Sequence, residues 1–139
     1  MNMNMNMKMR MQGYIFSRSF MGERVPQHIQ NITIRNYCEQ KGHHYLLSAT
    51  EYAMENCHLI LEQTLDELLQ IDGLVAYSLF QLPVKDEQRQ IVYSKILSSK
   101  KSFHFAVEGL QLTTIEDKNR IENLWLIRKT LPKCIQTTV

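Results

Sequence analysis

The feature that most constrains the fold is a nearly continuous apolar segment, residues 74–80, in the middle of the chain. A strand with one solvated face alternates apolar and polar side chains, whereas a strand covered on both faces is apolar along its length. Asp72-Gly73 precedes the segment and Pro83 follows it, and both interrupt regular structure. The pattern therefore predicts the central strand of a parallel sheet that carries helices on both faces.

Strand-like and helical patterns alternate before and after this segment. Four β-prone runs cover residues 13–17, 44–47, 74–80 and 103–107, and residues 48–56 are predicted to form a polar connection. Helical patterns extend from Pro26 to about Lys41, across Leu61, Leu65 and Leu68, from Asp86 to about Lys100, and from Thr113 or Thr114 to just before Pro132. Four strand–helix units predict a single α/β domain with a four-stranded parallel sheet. We expect the strand order 2-1-3-4 of a flavodoxin-like three-layer domain.

The length and composition are those of one globular domain. The chain has 139 residues, 44% of them apolar, which is enough for a self-sufficient core. Methionine alternates with Asn, Lys or Arg over residues 1–11. We predict a disordered leader there, an ordered domain over 12–133 and a flexible tail over 134–139. The formal net charge of +2 gives no argument for a nucleic-acid or membrane partner.

Cysteine usage and hydropathy predict a cytoplasmic protein. Three cysteines without close pairing do not form a disulfide framework, and no apolar run approaches the roughly 20 residues that a membrane helix needs. No standard zinc-ligand spacing occurs among Cys38, His43, His44, Cys57 and His58. Neither a G-x-G-x-x-G loop nor a Walker motif is present. We therefore predict no metal and no cofactor.

The predicted strand order places a binding site at one edge of the sheet. Ligands of parallel α/β sheets bind beyond the carboxyl ends of the strands, where the strand order reverses, here between the first and third strands. The hydroxyls and guanidinium of Ser17-Arg18-Ser19 suit an anion or phosphate, and a polar turn without function is the alternative. The candidate ligand-binding residues at these strand ends and at the start of the first helix are Ser17, Arg18, Ser19, Arg24, Gln27, Gln81 and Glu108.

Other polar residues are weaker candidates for chemistry. Glu51, Glu55 and Glu108 could supply a general base, although nothing in the sequence pairs them and solvated carboxylates are the alternative. Cys57 beside His58 could form a nucleophile–base pair, but adjacent helical residues point about 100° apart. Ordinary helix, strand and core roles are expected for His28, His104 and Tyr77. No catalytic residue is assigned, and whether the protein is an enzyme stays open.

Four segments resemble a family of small bacterial proteins. They are Gly13-Tyr14-Ile15-Phe16-Ser17-Arg18, Pro26-Gln27-x-x-Gln30-Asn31-x-x-Ile34-Arg35-x-Tyr37-Cys38, Tyr77-Ser78-Leu79-Phe80-Gln81-Leu82-Pro83 and His104-Phe105-Ala106-Val107-Glu108. Over residues 13–131 the chain resembles the sporadic carbohydrate cluster protein family. The resemblance implies a protein encoded among bacterial genes for surface polysaccharide and nonulosonate-type sugars.

A second resemblance is to the catalytic domain of serine recombinases, the resolvases and invertases. It rests on a strand beginning Gly13-Tyr14-Ile15, a glutamine-containing first helix and the order of elements, and it implies a resolvase-like fold. In the family's Tyr-x-Arg-x-Ser strand end, Phe16 takes the arginine position and Arg18 the nucleophile position. The family's Asp-Arg-Leu-x-Arg segment becomes Phe80-Gln81-Leu82-Pro83-Val84, which has no arginine. Phosphotransfer needs several positive groups around the phosphate, so the resemblance does not extend to strand exchange.

Three functional hypotheses follow. The first is a small protein of bacterial surface-carbohydrate biosynthesis that binds a sugar, sugar phosphate or nucleotide-sugar at the strand ends. The second is a non-catalytic interaction or regulatory protein that acts on a pathway enzyme through a degenerate resolvase-like site. The third, a DNA-binding recombinase relative, is the weakest because the sequence shows no basic helix-turn-helix module. A homodimer is compatible with all three.

Overall fold

A computed structural model describes the backbone of residues 8–138 and the side chains of residues 8–130. The elements alternate along the chain as the sequence predicts. Strands and helices follow in the order β1 (Arg10–Phe16), α1 (Gln27–Lys41), β2 (His44–Glu51), α2 (Leu59–Asp66), β3 (Gly73–Ala76), α3 (Asp86–Ser99), β4 (Ser102–Phe105), β5 (Leu110–Leu112) and α4 (Ile115–Thr138). Two short 3₁₀ turns, Leu68–Gln70 and Leu79–Gln81, lie between them.

The sheet has five strands in the order β2-β1-β3-β4-β5. The first four are parallel and keep the predicted order 2-1-3-4, whereas β5 pairs antiparallel with β4. The predicted four-stranded, wholly parallel sheet is therefore wrong at one edge. A turn through Gly109, with φ of +67°, reverses the chain after β4. The returning strand has only three residues, too few for a periodic pattern that could be detected in the sequence.

Each face of the sheet builds its own core because successive side chains of a strand point to opposite sides. Tyr14 and Phe16 of β1 face the larger core, which contains residues of α2, α3 and α4. Met11 and Ile15 face the smaller core, where α1 contributes Ile34, Tyr37 and Cys38. The helices thus cover both faces, as predicted. Helix α1 ends at Gly42, whose left-handed φ of +74° forms the C-cap expected from the sequence.

The ends of all four predicted strands differ from the predictions, and β4 covers Ser102–Phe105 where residues 103–107 were predicted. Strand β1 begins at Arg10, and Met11 is fully buried, so these two residues belong to the sheet and not to the predicted leader; residues 1–7 of that leader lie outside the described residues. Strand β2 continues to Glu51 through part of the predicted connection. The apolar segment 74–80 was predicted to be one strand, but β3 ends at Ala76. The rest of the segment leaves the sheet, because Ser78 and Gln81 cap the 3₁₀ turn that follows.

Helix α4 begins after a capping box at Thr114, the second of the two threonines at which the sequence predicts its start. Thr114 Oγ1 accepts a hydrogen bond from the Asp117 N–H, and the Asp117 carboxylate accepts one from the Thr114 N–H. The helix continues through Pro132 to Thr138, so the predicted end before Pro132 is wrong, and residues 134–138 of the predicted tail are helical. Proline has a helical φ, so a helix can continue through it, although it loses its own hydrogen bond to the carbonyl four residues earlier and its ring crowds that carbonyl.

Arg89 ties α3 to α4 and to the segment that follows β3. Its buried guanidinium pairs with Glu122 at 2.7 Å and with Asp86 at 2.6 Å. It also donates to the carbonyls of Pro83 and Val84. This network fixes residues 82–84 against the helices. No helix in the described part of the chain has the length and apolar character needed to cross a membrane.

Candidate functional site

A cavity of about 430 Å³ opens at the carboxyl edge of the sheet, beside the ends of β1, β2 and β3. Its volume lies in the range of small-molecule sites, roughly 300–1,000 Å³. Three loops form its walls. The lining residues are Phe16, Arg18, Ser19, Phe20, Met21 and Gly22 after β1, Ala53, Glu55, Asn56 and His58 after β2, and Phe80, Leu82 and Val84 after β3. The cavity therefore lies at the edge that the strand order predicts.

The wall nearest β1 carries the only cationic side chain among the described residues that line the cavity. The Arg18 guanidinium lies 4.1 Å from the centre of the Phe16 ring, and its Nη1 donates to the Tyr52 carbonyl at 2.7 Å. Among the described residues, no carboxylate lies within ion-pair distance of Arg18. A guanidinium has five N–H donors, so most of its donor capacity is left for another acceptor.

The rim after β1 is a tight turn held from the other side by α4. Phe20 and Glu23 exchange two backbone hydrogen bonds of 2.9 Å, and the residues between them, Met21 and Gly22, both have positive φ. Two successive positive φ values are typical of a type I′ turn. Arg128 of α4 donates to the Met21 carbonyl at 3.1 Å. The turn is thereby fixed at the cavity mouth.

Glu51, at the end of β2, is a structural carboxylate. It is 1% exposed and accepts hydrogen bonds from the Tyr14 hydroxyl at 2.7 Å and from the N–H groups of Ile60 and Leu61 at the start of α2. Those N–H groups have no partner within their own helix, so the carboxylate both completes their bonding and matches the helix dipole. Because Glu51 is buried, it is not the solvated carboxylate of the sequence analysis. Protein donors occupy both of its oxygens, so the alternative role of general base does not apply either.

His58 is the residue of the site whose bonding is incomplete. It is 9% exposed, its ring lies 5.9 Å from the Phe16 ring, and its buried Nδ1 has no hydrogen-bond partner among the described residues. Burial lowers the pKa of His58 below its usual range, and the nearby charge of Arg18 lowers it further. The imidazole is therefore neutral at pH 7. A neutral ring can accept one hydrogen bond and donate one, and here it lies beside the Arg18 cation.

Gln81 and Glu108 lie at the predicted edge but are occupied by the protein itself. Gln81 is fully buried, donates to Gln30 Oε1 at 2.8 Å and accepts from the Ser78 N–H at 3.2 Å. Glu108 accepts from the Ser78 hydroxyl at 2.7 Å and from the Leu79 N–H at 3.0 Å. Protein partners inside the fold thus occupy both amide groups of Gln81 and part of the acceptor capacity of Glu108, and neither residue lines the cavity; their ligand contacts stay predictions.

Gln30 is the residue that sequence reasoning missed at this edge. It accepts from the Phe16 N–H at 3.0 Å and donates to the carbonyls of Phe16 and Val25 at 2.9 Å each. The Phe16 groups lie where β1 leaves the sheet, and the Val25 carbonyl lies just before α1. The Gln30 side chain thus hydrogen-bonds the backbone at both ends of the loop between β1 and α1. The sequence signal that could have identified it is a glutamine at helical spacing from Ile34 and Tyr37, on the inner face of α1, where the structure shows it fully buried.

Of the remaining predicted ligand residues, only Ser19 lines the cavity together with Arg18. Ser17 donates instead to the Glu51 carbonyl at 3.2 Å. Arg24 and Gln27 are exposed and are not part of the cavity wall. The cavity wall therefore does not bring Arg18 and Arg24 together, and the ligand-binding roles of Arg24 and Gln27 stay predictions.

The other polar candidates lie apart from one another. Cys38 is buried under α1, where burial raises the pKa of its thiol to about 11, while Cys57 donates weakly to Glu51 at 3.8 Å. His104 is buried in β4 and hydrogen-bonds Tyr37 and Ser102. Within residues 8–130, no three His, Cys, Asp or Glu side chains are placed to hold a metal ion.

Comparison with known proteins identifies the fold. No family model matches the sequence, and none of the curated proteins is similar to it. Among solved structures, the N-terminal catalytic domain of TP901-1 integrase is similar, with a TM-score of 0.61 at 14% identity over 88% of this chain and 98% of that domain. At this identity the similarity shows the fold alone. The chain therefore has a resolvase-like α/β fold.

Proposed function

We propose that this protein binds a small anionic carbohydrate, a sugar phosphate or nucleotide-sugar, in the cavity lined by Arg18 and His58. The observation that carries the proposal is that one cavity of ligand size is lined both by Arg18 and by His58, whose buried Nδ1 has no partner among the described residues. A buried polar atom without a partner costs about 1–3 kcal/mol, a cost that a ligand can remove. The resemblance to the sporadic carbohydrate cluster family supplies the setting, a cytoplasmic step of bacterial surface-carbohydrate biosynthesis.

The chemistry of the walls favours a sugar phosphate over a purely apolar ligand. Arg18 offers charge-assisted donors of the kind that bind phosphate oxygens. Ser19, Glu55 and Asn56 add polar groups that suit sugar hydroxyls, and Phe16 and Phe20 add apolar surface. A few polar groups on an otherwise apolar wall are typical of small-molecule sites.

A melting-temperature panel tests this proposal. The panel contains free hexoses, hexose 1-phosphates, nucleotide-sugars and inorganic phosphate. A ligand present at 100 times its Kd stabilises the native state by about 2.7 kcal/mol, which raises Tm by several degrees. We expect such a shift with a phosphorylated sugar, and a smaller shift or none with the free hexose.

Two arginine variants locate the site. Arg18→Gln should weaken binding of the phosphorylated sugar by about 10- to 100-fold, the value of a hydrogen bond to a charged group. Arg24→Gln is the matched control, because Arg24 is exposed and does not line the cavity; it should bind as the parent does. The absence of a shift with every panel member, or equal losses in both variants, would contradict the proposal.

An interaction protein is the second candidate, and exposed apolar side chains beside the cavity favour it. Tyr52 is 51% exposed and Met54 is 61% exposed, both in the loop after β2. They form a surface on which a pathway enzyme could dock. Copurification of a glycosyltransferase or synthase that Met54→Asp abolishes would support this function over ligand binding.

Recombinase chemistry is not proposed. Within the part of the chain that the structure describes, Arg18 is the only arginine that lines the cavity, and phosphoryl transfer in a DNA strand needs several positive groups. A gel-shift assay should detect no salt-sensitive affinity for duplex DNA.

A further inference from the structure

A second opening adjoins the cavity along one wall. It is a groove of about 240 Å³ between α2 and α3, and His58 lines both spaces. The chain segment after β3 separates them as well, because Leu82 and Val84 face the cavity while Pro83 faces the groove. One imidazole and three residues of backbone therefore lie between the two spaces.

The groove is too small to hold a whole ligand of ordinary size. Its volume is below the lower end of the range for small-molecule sites, roughly 300 Å³. Its position beside the larger cavity makes it suitable for one part of a ligand whose remainder lies near Arg18. His58 is the side chain that lines both spaces, so a ligand that occupied both would contact it.

The side chains of the groove favour a flat, uncharged group. Leu65, Ile91 and Val92 give it apolar walls. Glu62 and Asp66 are its acidic residues, and the charge of Lys95 is engaged by Asp66 at 3.0 Å. The excess of negative charge disfavours a phosphate in the groove, so the phosphates of a two-part ligand belong on the cavity side, at Arg18.

We infer that the ligand is a nucleoside-diphosphate sugar, with its sugar and phosphates in the cavity and its base in the groove. This inference rests on the proposed function and narrows it to one substrate class. A nucleobase is flat, apolar on its faces and hydrogen-bonding at its edge, where Gln88 at the groove wall offers an amide. The diphosphate spans the distance past His58 between the two spaces.

Titration calorimetry of the full chain with four probes tests the inference. The probes are glucose 1-phosphate, UDP-glucose, GDP-mannose and octyl phosphate. At least one nucleotide-sugar should bind about tenfold or more tighter than glucose 1-phosphate, because it fills the groove as well.

A groove variant separates the two halves of the ligand. Ile91 is 55% exposed on α3, so Ile91→Glu leaves the fold intact and adds negative charge to the groove. It should weaken the nucleotide-sugar by about tenfold and leave glucose 1-phosphate within about twofold. Ile32→Glu is the matched control, because Ile32 is 57% exposed on α1, across the sheet, and should change neither affinity.

The outcomes distinguish this inference from the proposed function. Equal affinity for glucose 1-phosphate and the nucleotide-sugars, or no effect of Ile91→Glu, would overturn the groove assignment and leave the sugar-phosphate site standing. Tighter binding of octyl phosphate, lost in Ile91→Glu, would overturn it in favour of an alkyl chain in the groove. Binding of none of the four probes would overturn the inference together with the proposed function.

Discussion

Two buried histidines of this protein have opposite surroundings. His104 is 3% exposed in β4, and both of its ring nitrogens have hydroxyl partners, Tyr37 at 2.6 Å and Ser102 at 2.9 Å. His58 is 9% exposed at the start of α2, and its Nδ1 has no partner among the described residues. Burial is nearly the same, and only the bonding differs. Trp125 Nε1 is also buried without a partner among the described residues, but only His58 combines such an atom with a cavity wall.

The same contrast divides the polar residues at the carboxyl edge of the sheet. Gln30, Gln81 and Glu108 have their polar atoms bonded within the fold, and they hold the strand ends in place. Arg18 has one backbone acceptor and several remaining donors, and it faces a cavity. Completed bonding identifies a structural residue, whereas incomplete bonding beside a cavity identifies a candidate for ligand binding.

The largest expected effect is a loss of stability on replacement of His104, the histidine whose two ring nitrogens both have partners. His104→Phe leaves the hydroxyls of Tyr37 and Ser102 buried without a partner, and we expect it to lower the free energy of unfolding by roughly 3 kcal/mol. Urea unfolding followed by the fluorescence of Trp125, the one tryptophan and a buried residue, measures the change. A loss below about 0.5 kcal/mol would show that the hydroxyl pair contributes nothing to stability.

The next effect is a pH dependence of stability. Burial, with smaller contributions from His43 and Lys41, lowers the pKa of His104 from 6.5 to about 4. Between these values the unfolded state binds a proton that the native state does not. The free energy of unfolding is therefore highest above pH 6.5 and falls as the pH drops toward 4, by roughly 3 kcal/mol from this residue.

Urea unfolding at pH 7, 6, 5 and 4.5 measures that slope in the parent and in His104→Phe. Between pH 6.5 and 5 the carboxylates remain ionised, so histidines dominate the change. The variant should lose most of the slope and keep the smaller parts that the lowered pKa values of His58 and His43 contribute in the same direction. An unchanged slope in the variant would assign the pH dependence to other groups.

Replacement of His58, whose Nδ1 has no partner among the described residues, should affect ligand binding and not stability. His58→Phe removes a buried polar atom that has no partner, so stability should stay unchanged or rise by up to about 1 kcal/mol. Affinity for the phosphorylated sugar should fall about tenfold or more. Urea unfolding and calorimetry on the same variant measure both. Loss of stability comparable to that of His104→Phe would break the contrast between the two residues.

The smallest effect is expected at the exposed residues of the α1 start. Gln27→Ala should change neither stability nor ligand affinity, within about 0.5 kcal/mol, because Gln27 is exposed and makes no part of the cavity wall. The same urea and calorimetry measurements apply. An affinity loss above fivefold would extend the site beyond the turn at Met21-Gly22.

The sequence was a good guide to the order of elements and to the edge that carries the cavity. The alternation of β-prone runs and helical stripes predicted the first four strands, and the topology then brought Arg18 and Ser19 to the cavity. It was a poor guide to roles. Whether Gln81 binds a ligand depends on Gln30, which lies 51 residues away in the chain, and no local pattern carries that information.

His58 was misjudged for a related reason. Its position next to Cys57 in the sequence suggested a nucleophile–base pair or a zinc ligand. Both interpretations consider only residues that are close along the chain. Its position follows instead from Glu51, which binds the first N–H groups of α2 and so sets the start of that helix. Strand β5 escaped notice because its pairing with β4 depends on the turn at Gly109 and not on its own three residues.

The most direct test of the account is a map of backbone amide shifts on addition of the sugar phosphate with the largest melting shift. Ligand in the cavity should move the signals of residues 18–22 and 53–58 most, and those of Gln111 and Arg120, at the far edge of the sheet, least. Shifts concentrated outside the three cavity loops would contradict the claim that Arg18 and His58 form the binding site.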